Sequence, residues 1–180
     1  MTTVRSPTAT STNFAGVIAL LLGAAVAVGL GVYGRVHTPS GEAFATFGFG
    51  SMIAMKVWLG SAAGVLALVQ LFTAVGIYTR GGRALALGHR TSGTLAVLLS
   101  LPVAYQCLWS LGFADYDIRV LVHSLAGCLV YGALVTKLLS LHAPRMPSWL
   151  VPVAGSLLLT AVVTAALTSS VWYFAEVGVP

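Results

Sequence analysis

Two stretches of this chain carry the same small pattern, a histidine followed one helical turn later by a glycine: His89-x3-Gly93 and His123-x3-Gly127. Each lies in a long apolar run. An ionisable group there is costly and by default marks a functional site. Imidazole is an axial ligand of haem iron. A flat macrocycle edge-on to a helix needs room beside its ligand, and residue i+4 lies on the ligand's face. Gly93 and Gly127 supply that room. The chemistry expected of the pair is therefore ligation of a b-type haem by His89 and His123.

Their depths decide how many sites there are. His89 lies near the inner end of its span and His123 near the outer end of the next, so they differ in depth by roughly 15–20 Å. One or two haems are expected, one near each face if both histidines bind. The inner site has His142 as its other histidine. The outer site has His37, with Met52 and Met55 as alternatives because His/Met ligation exists. Gln106 faces His123 across a hairpin, and Lys56 lies at the same level. Lys56 reads as a counter-charge for a haem propionate or a quinone oxygen, or as a lysine snorkelling to the interface. Plainer readings stand beside these. The glycines suit helix packing, His37 and His142 suit loops, and Gln70, Tyr105 and Tyr131 suit interhelical hydrogen bonds. Cys107 and Cys128 form no CxxC or CxxCH and read as small packing residues.

The elements that must position these residues follow from composition. Of 180 residues, 58% are hydrophobic and 7% charged, where an ordinary soluble domain has about a quarter charged. The pattern predicts an all-α, polytopic membrane bundle of five spans at about 14–36, 52–79, 84–113, 119–141 and 149–174, each long enough to cross a bilayer. Residues 1–13 read as a disordered cytoplasmic tail, and 14–180 as one transmembrane domain. The links at 80–83 and 114–118 are short, so spans two, three and four are expected to run antiparallel as neighbours. The 37–51 loop, with Phe44, Phe47 and Phe49 among glycines, is expected at the interface.

Charge sets the orientation. Arg5, Arg80, Arg83, Arg90, Lys137 and Arg145 fall on the side of the N-terminus. Arg35, Lys56 and Arg119 fall on the other, with Glu42, Asp115, Asp117 and Glu176. The positive-inside rule then puts the N-terminus in the cytoplasm and the C-terminus outside, in a multi-pass plasma-membrane protein. Within the bundle, Gly23-x3-Ala27-x3-Gly31 forms a ridge for close helix approach, and Ser156, Thr160, Thr164 and Thr168 form a hydroxyl stripe expected to face other helices. Pro102 is expected to kink span three.

There is no P-loop, dinucleotide fingerprint or HExxH, and no carboxylate in the membrane interior. The last point argues against a proton-coupled transporter. Nothing points to nucleic acid. Any enzyme activity would be that of an oxidoreductase or electron-transfer subunit with no flavin or nicotinamide site of its own.

The segments GHRTSG, PVAYQCLWSLGF, RVLVHSLAG and YGALVTKLL between residues 88 and 142, with LTSSVWYF at 167–174, resemble a family of small actinobacterial membrane proteins of unknown function. More remotely they are similar to the membrane parts of ferric reductases and 561-type cytochrome b proteins. The resemblance implies a helical bundle holding b haem through His89 and His123. Electrons would pass between a quinone or protein donor and an acceptor outside the cytoplasm. Members with two haems use four buried histidines, where this chain has one in each of spans three and four. The competing expectation is a non-catalytic subunit of a larger, respiratory membrane complex, binding lipid or quinone but no haem.

Overall fold

The computed structural model describes residues 9–143 and 146–180. Arg5, Arg145 and the first eight residues of the expected tail lie outside the described residues. The chain forms an all-α bundle with five helices long and apolar enough to cross a membrane. They are α1 (Ala9–Val36), α2 (Met52–Thr79), α3 (Arg83–Leu111), α4 (Ile118–His142) and α5 (Leu150–Glu176). The first begins within the expected tail, and the others match the expected spans to within two residues.

Each start and turn has a local cause. Ser51 caps α2 by accepting from the Ala54 N–H, and Asp117 caps α4 by accepting from Val120 N–H. These side chains satisfy donors that a helix start leaves orphaned. Gly112 ends α3 at φ 70°, with its face against Gly34 O and Pro39. There Phe113 N–H donates to Gly34 O at 2.8 Å and ties the ends of α1 and α3 together.

Close packing is set by small residues. On α1, Gly23 lies against Thr136 and Gly132 of α4, a Cβ on Gly132 would come within 2.8 Å of Ala27, and Gly31 faces Cys128. The expected ridge is thus the α4-facing side of α1, and Thr136 Oγ1 crosses it to Ala19 O at 3.3 Å. On its other side α4 packs against α5. The α2–α3 hairpin joins this group through α2 and α5.

Three expectations change here. Helices α3 and α4 are consecutive and antiparallel but are not close-packed, because α4 turns its small residues to α1 and α5. Side chains alone span the gap, through Ser100 and Tyr131 at 2.9 Å. The Pro102 disturbance is displaced one turn: α3 stays α-helical to Tyr105 and then forms a π-helical turn over Gln106–Leu111. Of the hydroxyl stripe, Ser156 and Thr160 are exposed, and Thr160 bonds back to its own helix at Ser156 O.

Replacing Gly132 by leucine is expected to lower stability by about 1–3 kcal/mol through overpacking. Gly29→Leu, where a side chain meets nothing within 4 Å, leaves stability unchanged. Unfolding of the purified variants in mild detergent measures both.

Candidate functional site

The two His-x3-Gly motifs have different surroundings. Thr73 Oγ1 donates to the carbonyl of Val69 at 2.7 Å, so it accepts from His89 Nδ1 at 2.9 Å. The adjacent side chain is Gln70. Its amide donates to His89 O and to Ser92 Oγ, the latter at 2.7 Å. A Cβ on Gly93 would stand 3.0 Å from Gln70 Oε1. The notch that Gly93 opens is therefore filled by Gln70.

His123 is oriented by the same device. Thr168 Oγ1 donates to Thr164 O at 2.7 Å, which leaves it an acceptor for His123 Nδ1–H at 3.2 Å, beside Ala165 O at 3.3 Å. A ring whose Nδ1 proton is held this way presents the Nε2 lone pair. Gly127, one turn on, differs from Gly93: a Cβ there would meet nothing within 4 Å. It borders the α3–α4 seam, with His123 one turn above and the Tyr131–Ser100 bridge one turn below.

Across the seam from His123 is Cys107. Its sulfur lies near both His123 and Lys56. Lys56, Cys107 and His123 thus converge from three helices at the end of the bundle that carries the 37–51 loop. The backbone is unusual at the same level. Cys107 stands in the π-turn of α3, and Thr168 stands in a second π-turn, Leu167–Val171 of α5. Such turns occur frequently at functional sites. The second turn is pinned from two sides. Ser170 Oγ donates to Val57 O at 3.1 Å, and Arg119 donates to Thr168 O at 2.8 Å while lying 3.8 Å over the Trp172 ring.

The remaining candidates stand apart from this cluster. His37 stacks between Tyr33 and Trp109, at 5.1 and 4.5 Å, and its Nε2 lies 3.3 Å from Trp109 O. His142 is exposed and donates to Leu138 O of its own helix. Met55 is fully buried in the core and Met52 begins α2. Gln106 is 1% exposed and faces the 37–51 loop instead of the seam. It donates to Ala45 O at 3.0 Å and accepts from Phe44 N–H at 3.3 Å and from Ser110 Oγ at 2.7 Å. Among the described residues no group of three or more His, Cys, Asp or Glu side chains gathers to hold a metal.

A b haem can be tested against these surroundings. At His89 the residues do not fit one, since Gln70 occupies the clearance. At His123 they offer the set that one b haem would use: an oriented imidazole, open space at Gly127, a nearby sulfur and a cationic side chain beside it. Cys107, Thr73 and Thr168 are the members that sequence reasoning missed. Cys107 reads as packing in the sequence because it forms no CxxC or CxxCH with Cys128. Thr168 carries no signal beyond the hydroxyl stripe, and Thr73 carries none.

Fold and site together define an all-helical bundle of membrane-spanning proportions with polar clusters around His89 and around His123 inside its span. The chain belongs to the family of unknown function DUF6529, whose profile matches residues 15–180. The family match supports membership of an uncharacterised family and lends nothing to a ferric-reductase or cytochrome b resemblance. No curated protein and no solved structure matches the chain.

Gln106→Leu is expected to cost about 1–3 kcal/mol by leaving the loop's amide and carbonyl partners unsatisfied. It also loosens residues 37–51. Limited proteolysis of that loop, compared with unfolding of the whole protein, reads the two effects.

Proposed function

We propose that the protein is an integral membrane electron-transfer subunit with one redox site, at His123, in place of the two that the paired motifs imply. One arrangement supports this reading. His123 is oriented by Thr168, opens onto the Gly127 clearance, and has both neighbouring groups on π-turns at one level. A b haem is the group these residues suit, and His123 would hold it through Nε2. Cys107 is the sulfur that could serve as a second ligand, since thiolate is an established haem ligand. Bound there, the haem supplies one-electron transfer.

The side chains have separable tasks. Thr168 keeps the imidazole from rotating. Lys56 offsets the negative charge of a propionate or of a thiolate. Tyr131 and Ser100 close the seam below. Following the charge asymmetry, we place the N-terminus in the cytoplasm and the chain in the plasma membrane, which puts His123 in the outer half. Electrons then arrive from a quinone or a protein donor and leave to an acceptor outside, within a larger membrane complex or through a redox partner protein.

A second reading has its own observation. Cys107 and Lys56 both lie near His123. A lysine donor also suits a quinone oxygen, and an imidazole acceptor the hydroxyl of its quinol, without haem. The chain would then be a non-catalytic, quinone-binding subunit.

Reduced-minus-oxidised spectra of the purified protein, with a pyridine haemochrome assay, separate the readings. The expected result is one b haem per chain, lost in His123→Ala, kept in His89→Ala, and kept with an altered spectrum in Cys107→Ser. A featureless spectrum from haem-supplemented cells overturns the haem reading in favour of the quinone one. For the orientation, a reporter active only outside the cytoplasm is expected to work at the C-terminus and to fail at the N-terminus.

A further inference from the structure

The outward stripe of α3 begins as a charged surface and continues as an apolar one. At 3.6 residues per turn, Arg83, Leu87, Arg90, Thr94, Leu98 and Leu101 share one face, and all six are exposed. The two arginines bracket a groove of about 580 Å³, walled by Ala84, Ala86 and Leu87. Beyond it Leu98 and Leu101 are 55% and 49% exposed.

No acid among the described residues lies near this charge. The chain's four acids, Glu42, Asp115, Asp117 and Glu176, all lie at the opposite end of the bundle. The ion pairs formed among the described residues, Arg35–Asp115 and Arg119–Asp117, are there too. Arg90 lies about 10 Å further along the helix than Arg83. A guanidinium so far into an apolar span is costly without a counter-charge. No side chain caps the start of α3, and its first turn holds no acid.

We infer that the Arg83–Arg90 groove seats the headgroup phosphate of an anionic phospholipid, with an acyl chain lying along Leu98 and Leu101. Guanidinium forks match phosphate oxygens bidentately, and a zwitterionic lipid lacks the net charge that two arginines select. The apolar continuation of the same face favours a lipid over a soluble phosphate. This site is independent of the redox reading at His123.

The test reconstitutes the full chain into nanodiscs of phosphatidylcholine or of equimolar phosphatidylcholine and phosphatidylglycerol, followed by native mass spectrometry. The wild type is expected to retain one phosphatidylglycerol in preference to phosphatidylcholine. The Arg83→Gln/Arg90→Gln variant should bind it about thirtyfold more weakly, at about 1 kcal/mol for each charge. Arg83→Lys/Arg90→Lys should keep most of the preference. Equal retention of both lipids, or a glutamine variant that binds like wild type, overturns the proposal. Displacement by inorganic phosphate overturns the lipid assignment in favour of a soluble anion site. Both variants carry exposed substitutions, and elution profiles matching wild type check that they fold.

Discussion

Much of this bundle depends on how closely α1 and α4 approach. Gly23 and Gly132 bring the two backbones together, and Thr136 locks them by bridging to Ala19 O. Helices in lipid gain no hydrophobic drive toward one another, so contact between small residues decides which pairs form. With α1 on one side and α5 on another, α4 has no close-packing face left for α3. The α3–α4 seam is a by-product of that choice. It leaves space at Gly127 and lets His123 and Tyr131 reach across to Cys107 and Ser100.

Polar groups inside a span need partners, and this bundle satisfies them locally. Serine and threonine hydroxyls mostly donate to carbonyls one turn back, which leaves their oxygens free to accept from a histidine. Where the helical ladder widens into a π-turn, at Gln106–Leu111 and Leu167–Val171, side chains are re-aimed. Gln106 turns to the loop, Cys107 to the seam, Ser170 to Val57 and Thr168 to His123. Both widened turns occupy the same end of the bundle as Lys56, so local backbone irregularity and buried polarity coincide there.

The spans were legible because length and hydropathy leave few alternatives, and the Gly23, Ala27, Gly31 ridge was legible because small residues at four-residue spacing have one common use. The level shared by Lys56, Cys107 and His123 could be counted along the helices. What could not be counted was rotation. Gln106 opens the π-turn and faces the 37–51 loop, whereas the sequence placed it opposite His123. Packing order was also hidden, since the short 114–118 link places α3 and α4 side by side in sequence but does not bring their faces into contact.

The paired motifs make the same point about composition and context. His89-x3-Gly93 and His123-x3-Gly127 are alike in residue type, spacing and even in the threonine that holds each Nδ1. They differ in what lies across from the glycine. Helix α2 packs tightly on α3 and delivers Gln70 into the Gly93 notch, where its amide is consumed by His89 O and Ser92. No helix packs tightly across from Gly127, so that clearance persists. A glycine one turn from a histidine therefore makes room only where the neighbouring helix does not fill it. In this fold the α1–α4 contact, remote from both histidines, determines which of the two motifs keeps open space at its glycine.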